Sequence, residues 1–559
     1  MAAKKGLWFL LVGLAVVMLA GPLAAPGGGE APLPLVPLPV MVERSPGSYL
    51  LKAKSPLLVP GEESHVRSAA VFADKVRARF GVELTLITYS GEKILCEPGE
   101  VPSLRGCVPC RGAIVAGRAV EWCGGVPVPG EAQGDEGYKL AVSPDMVLIE
   151  TGTAHGMHNA LMTILQLLDH RPGQAEIPSV RVLDYPRFGW RGMLLDPARS
   201  FIPPDIIKKY IDLLSELKMT VLHWHLVDDQ GWRIEMTSRP RLHEVGGILH
   251  NQSEKKLRAL DRHGWGRDGR GYYTQAELKE IIAYARDRHV MIVPEIDVPG
   301  HTTAMISAYP DLSCSGRQIE VGKVGRLYRN ALCPGKEEVY EFLDIIFGEV
   351  AAIFPSPYIH IGGDEVWTRE WMSAPENQWL IEKYGYTDND GLQSYFTRRV
   401  NDILKKHNRI MVAWDEITSY LPEGAVIQAW RKHDYATQAA RAGHDAVVSP
   451  TSHCYIDYPQ LTFTLKNLYH FEPIPEGLET ELKHHILGGE VNLWGERVTM
   501  DNIDRKAFPR VIAHAEVMWS PKKARDWEDF VSRLKPLKKT MEGRGVGFGT
   551  TWRALMFML

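Results

Sequence analysis

From Trp190 onward the chain alternates two rhythms. Short, continuously apolar runs lie at Trp190–Leu195, Thr220–Leu226, Met291–Ile296, Tyr358–Ile361, Ile410–Trp414, Val426–Trp430, Ala446–Ser449 and Ile486–Leu493. Runs of this length, apolar on both faces, read as strands buried on both sides. Between many of them the apolar positions recur every three or four residues, at Pro204–Lys218, Thr274–Arg288, Glu337–Phe354, Leu392–His407 and Tyr435–Ala442. That period reads as helix with one apolar face. Pro204 suits a first helical position, and Thr274 with Glu277 makes a capping box. Eight strands with intervening helices predict an α/β fold, a (β/α)8 TIM barrel. The link Thr418–Ala425 is too short for a normal helix, and a long stretch rich in Pro and aromatic residues joins strands seven and eight. The barrel is expected to be irregular in both places. A doubly wound open sheet is the alternative, but no Gly-rich phosphate loop supports it.

Residues 37–185 have a different rhythm. Strand-like runs at Leu84–Thr88, Ala113–Val115, Tyr138–Val142 and Met146–Glu150 mix with helical patterns at Glu63–Phe80 and Thr153–Leu168. This predicts a smaller α+β domain ahead of a catalytic domain spanning 186–559. Residues 1–25 read as a secretory signal, with Lys4 and Lys5 before an apolar run from Leu7 to Ala20 and small residues after it. An uncleaved membrane anchor is the other reading of that run. Residues 26–36 read as a Pro- and Gly-rich linker. Export permits disulfides. Of seven cysteines, Cys314 and Cys333 are the best candidate pair. Cys96, Cys107, Cys110 and Cys123 could form two more bridges, which leaves Cys454 single.

Composition narrows the function. With a net charge of −4 at pH 7, nothing suggests a nucleic-acid-binding surface. The 15 tryptophans, many of them after residue 189, suit the faces of sugar rings. A barrel enzyme keeps its chemistry at the C-terminal ends of its strands. Those ends carry Asp196 and Arg199, His223 to Asp229, Glu295 with Asp297 and His301, Asp364 with Glu365, Trp414 with Asp415 and Glu416, Trp430, Tyr455 with Asp457, and Glu490 to Glu496. No HExxH or comparable helix pair is present, so neither a metal nor any other cofactor is expected.

Acids and tryptophans in an exported barrel suggest a glycosidase. The usual pair of carboxylates stands about 5–10 Å apart, one on each side of the scissile bond. Asp364 and Glu365 are consecutive and cannot easily do so. A substrate that carries its own nucleophile resolves this: the carbonyl oxygen of a 2-acetamido group attacks the anomeric carbon. Glu365 then acts as general acid and base, and Asp364 holds the acetamido N–H.

Five blocks together resemble glycoside hydrolase family 20, the β-N-acetylhexosaminidases. They are Trp190-Arg191-Gly192 with Asp196 to Phe201; His223 to Asp229; Pro294-Glu295-Ile296-Asp297 with Pro299-Gly300-His301; His360 to Val366; and Gly488-Gly489-Glu490 with Trp494-Gly495-Glu496. The resemblance implies an exo-acting retaining enzyme that removes terminal β-linked GlcNAc or GalNAc. It implies that Arg199 grips the 3- and 4-hydroxyls and Tyr455 donates to the acetamido carbonyl. Trp414, Trp430 and Trp494 would wall the pocket. Glu496 would bind the 4- or 6-hydroxyl and Asp457 the 6-hydroxyl. His301 and Asp228 would tune Glu365 from behind. The expected partner is an N-acetylhexosamine-terminated glycan, with membrane contact only through an uncleaved signal. A lacto-N-biosidase-like enzyme and a silent carbohydrate-binding protein are the alternatives. Many relatives have a Cys-Trp pair soon after the acids; here the chain runs Val366-Trp367-Thr368-Arg369-Glu370-Trp371, so the far side of the pocket is expected to differ. The Arg-, His- and Gly-rich insert 246–273 is expected to shape leaving-group subsites, and Asn251-Gln252-Ser253 is a glycosylation sequon.

Overall fold

A computed structural model describes residues 32–549 apart from 91–92, 98–106, 110–111, 118, 123–130, 169–174, 267, 327 and 367. Residues 1–25, read above as a signal, Trp367, the tail Trp552–Leu559 and the side chains of Cys96, Cys107, Cys110 and Cys123 lie outside the described part. Among the described residues no helix is long and apolar enough to cross a membrane.

The first domain is a seven-stranded mixed sheet with two helices, together with a small three-stranded sheet of Lys93–Glu97, Cys107–Pro109 and Ala119–Trp122. The strands of the larger sheet are β1 (Met41–Leu51), β2 (Pro56–Pro60), β3 (Thr85–Tyr89), β4 (Ile114–Gly117), β5 (Tyr138–Val142), β6 (Val147–Glu150) and β7 (Ala175–Asp184), in the order β1-β7-β5-β6-β4-β2-β3. Helices α1 (Glu63–Phe80) and α2 (Ala154–Leu167) pack together on the sheet. Leu35 and Val36, read as the end of a linker, are buried instead. Val36 exchanges hydrogen bonds of 2.9 and 2.8 Å with the Gln166 amide, and Arg533 donates to the Leu35 carbonyl at 2.6 Å. This short stretch is a strap across α2 rather than a free connection.

The second domain is the predicted barrel. Strands β8 (Trp190–Leu195), β9 (Val221–Asp228), β10 (Met291–Ile296), β11 (Tyr358–His360), β12 (Ile410–Trp414), β13 (Val426–Ala429), β14 (Ala446–Val448) and β15 (Ile486–Leu493) pair in parallel, and β8 closes the ring onto β15. Surrounding helices include α3 (Pro204–Glu216), α4 (Gln275–Arg286), α5 (Glu337–Ile353), α6 (Asn389–Lys406) and α7 (His433–Arg441). The Thr274/Glu277 capping box is formed. The two irregular links are as expected: a 3-10 turn, Asp415–Ser419, follows β12, and short helices fill the stretch before β15. After β15 a short helix at Ile503–Ala507 leads to α8 (Arg510–Trp519) and α9 (Trp527–Gly543).

Alternation along each strand sets what the barrel encloses. In β9, Leu222, Trp224 and Leu226 join the main core, while Val221 belongs to a separate apolar cluster with Trp190, Val293, Val412, Val426 and Val447. Two residues further along, these inward columns turn polar. His223, Glu295, His360, Gln428 and Glu490 form a buried layer in the middle of the barrel. His223 Nδ1 lies 2.8 Å from Glu490, its Nε2 lies 3.1 Å from Glu295, and Gln428 donates to Glu490 at 2.8 Å. Gly192 makes room, since a Cβ there would sit 2.5 Å from Glu490 Oε2. Burial opposes the charge on His223, but Glu490 and Glu295 overrule it and push its pKa up to about 9. The top of the barrel thus rests on a charged, hydrogen-bonded floor rather than on an apolar one.

Candidate active site

The acid pair sits on a tight turn directly after β11. Gly362 and Gly363 have φ of 65° and 90°, the left-handed region glycine favours, and a Cβ on Gly362 would lie 2.0 Å from Asp297. Glu365 itself has φ 49°, an uncommon conformation for a residue with a side chain, which the turn imposes. Gly300 packs beneath, where a Cβ would come within 3.1 Å of the Asp364 carbonyl.

A cavity of about 250 Å³ opens above this turn. It is lined by Arg199, Asp364, Glu365, Trp414, Trp430, Tyr455, Asp457, Trp494 and Glu496, with Tyr458 and Arg497. The nine sequence-predicted lining residues are therefore brought together from six strand ends and the loops beyond them. Tyr458 and Arg497 were not anticipated; their side chains meet at 4.9 Å, and neither belongs to a recognisable motif. A larger cavity of about 970 Å³ lies at the opposite mouth of the barrel, among Trp190, Val221, Met291, Tyr358 and Leu487. Its one carboxylate, Glu136, is paired with Arg191, so it has no acid pair to offer.

Arg199 is held from several sides. Asp196 lies at 3.2 Å, Asp228 at 2.5 Å and Glu496 at 3.6 Å, and the guanidinium rests 5.0 Å from the Trp494 ring. Aromatic rings make the walls: Trp414 and Trp494 are 5.8 Å apart, and Tyr455 stacks on Trp430 at 6.1 Å. Trp414 donates to Glu295 at 2.9 Å, and Trp430 to Glu416 at 3.1 Å. The sequence places Glu416 at a strand end but assigns it no role. Burial, Asp364 and Asp415 raise its pKa to about 8, which biases toward the protonated form the carboxyl that accepts from Trp430.

His301 and Asp228 stand behind the acids, as expected. His301 Nε2 is 3.7 Å from Asp364 and 3.8 Å from Glu365, and its Nδ1 is 3.5 Å from Asp228 and 3.3 Å from Asp229. From Asp228 the chain of contacts continues through His225 at 3.0 Å to Glu295. Burial disfavours charge on His301, but Asp228 and Asp364 raise its pKa well above normal. Burial raises Glu365, the neighbouring Asp364 charge raises it further, and His301 and Arg199 oppose both. Burial raises Asp364 too, against His301 and Arg199. One carboxyl suited to carry a proton therefore lies beside one held by two cations. Asp364 Oδ1 and Asp457 Oδ1 are buried without a hydrogen-bond partner on another residue, and both line the cavity. A hydroxyl- or amide-bearing ligand would satisfy them. His223, Glu295 and His360 also lie close enough to share an ion, but they are already bonded to one another and to Glu490.

The described residues of the insert 246–273 line neither this cavity nor the one beside it, against the expectation that the insert shapes leaving-group subsites. It acts from behind. Lys256, buried in the helix Glu254–Arg262, donates to the Arg199 carbonyl at 2.8 Å and the Gly495 carbonyl at 2.7 Å. Asn251 is buried and donates to the Gln230 and Gly322 carbonyls, so the sequon is spent on packing. Burial lowers Lys256 to about 8, against the pull of Asp196 and Glu496. Replacing Lys256 with methionine frees both carbonyls and lets Arg199 and Glu496 drift apart. Steady-state kinetics are expected to show KM rising about tenfold with a smaller change in kcat, the equivalent of one charge-assisted hydrogen bond. An unchanged KM in a folded variant would contradict this bracing role.

Cys314 and Cys333 form a disulfide, and Cys454 is buried and free. Trp371 lies buried under the disulfide-closed loop and donates to the Leu332 carbonyl at 3.1 Å. Among the described residues this loop does not line the first pocket; Arg326, Tyr328, Arg329 and Asn330 of it line a neighbouring cavity that shares Glu365.

Comparison with known proteins agrees with this picture. The model for "Glycosyl hydrolase family 20, catalytic domain" matches residues 188–522, and that for "Glycosyl hydrolase family 20, domain 2" matches 33–185. The chain is 32% identical over 538 residues to a beta-hexosaminidase of Porphyromonas gingivalis, covering 92% of this chain and 64% of that protein. It is 36% identical over 402 residues to a beta-hexosaminidase of Vibrio furnissii, covering 68% and 65%. It therefore spans slightly less than two thirds of the length of these two relatives. Its fold matches that of an exo beta-N-acetylglucosaminidase from Vibrio harveyi in complex with N-acetylglucosamine, at TM-score 0.77 and 30% identity over 96% of this chain and 81% of that one. It matches Streptomyces plicatus N-acetyl-beta-hexosaminidase in complex with Thio-NAglucal at TM-score 0.76 and 30% identity, over 94% and 98%.

Proposed function

The chain belongs to glycosyl hydrolase family 20, and from that premise we propose that it is an exo-acting β-N-acetylhexosaminidase working by substrate assistance. One observation carries the reading: two consecutive carboxyls, Asp364 and Glu365, share one small pocket with Arg199 and Tyr455. Neighbours in sequence that line one small pocket do not easily flank a sugar ring from opposite faces, which favours a nucleophile supplied by the substrate. Asp364 orients the acetamido N–H and offsets the positive charge that develops as the ring forms. Glu365 protonates the leaving oxygen, then takes a proton from the incoming water. Tyr455 donates to the acetamido carbonyl oxygen. Arg199, Glu496 and Asp457 bind the remaining hydroxyls, and the indoles of Trp414, Trp430 and Trp494 cover the ring faces. His301 and Asp228 position and tune Glu365.

The cavity of about 250 Å³ supports removal of one sugar at a time. It is smaller than the roughly 300–1,000 Å³ of pockets that hold drug-sized ligands, which counts against a disaccharide-releasing enzyme. The N-acetylglucosamine in the Vibrio harveyi structure supports the substrate class. Export fits the disulfide and the apolar N-terminal run, and we place the enzyme outside the cytoplasm on that ground.

Release of a chromogenic aglycone from β-GlcNAc and β-GalNAc glycosides tests the proposal. Activity on at least one of them, blocked by a thiazoline that mimics the cyclised intermediate, is expected. Turnover of β-glucosides at the same rate would sink it. The pH profile follows from the two carboxyls. Activity is lost as pH falls through the pKa of Asp364, which must be ionised, and as it rises through that of Glu365, which must be protonated. Both are raised, so both limbs of the bell in kcat/KM are expected above the usual carboxylate range.

A further inference from the structure

A second cavity, of about 210 Å³, shares Arg199, Glu365 and Glu496 with the first and extends to Gly300, His301, Arg326, Tyr328, Arg329 and Asn330. Its outer wall is the loop between Cys314 and Cys333, and that loop is well anchored. Asn330 donates to Thr303 at 3.0 Å, the Leu332 amide to the Pro299 carbonyl at 3.0 Å, and the Gly322 amide to the Asp229 carbonyl at 2.8 Å. The Lys323 amide donates to Tyr328 Oη at 2.6 Å. The disulfide, the Asn251 side chain and Trp371 hold the loop from below.

The charges in this cavity do not cancel. Arg199 is matched by Asp196, Asp228 and Glu496. Asp229 accepts from the Thr303 amide at 3.0 Å and faces His301 at 3.3 Å. Glu365 is the carboxyl whose pKa is raised toward the protonated form. Arg326 and Arg329 remain, and among the described residues neither has an ion-pair partner. Two arginines without an ion-pair partner among the described residues therefore line a space whose inner wall includes Glu365.

We propose that this cavity is a leaving-group subsite for a negatively charged sugar, in which Arg326 and Arg329 bind a carboxylate or a sulfate ester on the residue from which the hexosamine is cleaved. The inference rests on the hydrolase reading above. The cleaved oxygen has to meet Glu365, so whatever lies beyond Glu365, away from the first pocket, belongs to the leaving group. A guanidinium fork suits both anions, because its paired donors match two oxygens of either. Exposed ion pairs are individually modest and screened by salt, so the signature is a preference that weakens as ionic strength rises.

The test compares kcat/KM for three disaccharides with the same terminal β-N-acetylhexosamine, whose leaving sugar is a uronate, a sulfated hexose or a neutral hexose. At low salt at least one anionic substrate is expected to exceed the neutral one by about tenfold, and the gap should narrow in 0.5 M salt. The two anionic arms distinguish carboxylate from sulfate. In the double variant Arg326→Glu/Arg329→Glu the ratio is expected to fall below one, and in Arg326→Gln/Arg329→Gln to approach one. Equal rates for all three substrates in the wild type would overturn the proposal, as would an anionic preference that both variants keep. A preference for an anion carried only by the terminal hexosamine would overturn its assignment to the leaving group. Hydrolysis of none of the three would remove the hydrolase reading, and the proposal with it.

Discussion

Glu365→Ala is expected to lower kcat/KM for a sugar leaving group by about 10²–10⁴-fold, the range of a positioned general acid. The same variant is expected to lose far less on an aryl glycoside whose phenol leaves readily without a proton. The contrast follows from the place of Glu365. It is half-buried at the mouth shared by both cavities, its carboxyl is biased toward the acid form, and His301 sits 3.8 Å away. A group that only shaped the pocket would cost both substrates alike. Rates across a series of phenol leaving groups give the answer: a steeper dependence on phenol acidity in the variant supports the assignment, and parallel lines contradict it.

Asp364→Asn is expected to have the second largest effect, with two separable readouts. The first is kcat, lowered by about 10²–10³-fold, as when one preorganised electrostatic contact to the transition state is lost. The side chain keeps its size, but it no longer offers negative charge to the forming ring. The second is the position of the alkaline limb. The Asp364 charge raises the pKa of Glu365. Glu365 must be protonated to work, so without that charge it loses its proton at lower pH and the limb moves to the acid side. A variant with reduced kcat but an unmoved limb would separate the two carboxyls electrostatically and contradict the geometry described above.

The barrel was legible in the chain because all eight of its strands are short apolar runs packed on both faces, and each begins within a residue of where the pattern placed it. The first domain was less so. β1 carries Ser45-Pro46-Gly47 and a break in register between Arg44 and Ser48, and β7 carries Pro178, so neither stood out as a strand. Helix α8 is buried along its whole length and has no polar stripe to betray its period, and α9 has Pro536 inside it. The pocket lining was legible because it sits at strand ends, where position alone assigns a role. Lys256 was not, since its part is to donate to two carbonyls from an insert without any pattern. Nor were Arg326 and Arg329: the cysteine pair suggested a closed loop, but only the fold brings that loop to the far side of Glu365.

The central claim is that the substrate, not the protein, supplies the nucleophile, and a series of aryl glycosides carrying N-acetyl, N-fluoroacetyl, N-difluoroacetyl and N-trifluoroacetyl groups tests it most directly. Each fluorine weakens the acetamido oxygen as a nucleophile while leaving the ring and leaving group in place. The account predicts that kcat/KM falls steeply and steadily along the series. A flat series, with a glycosyl group trapped covalently on a carboxylate of the pocket, would contradict it.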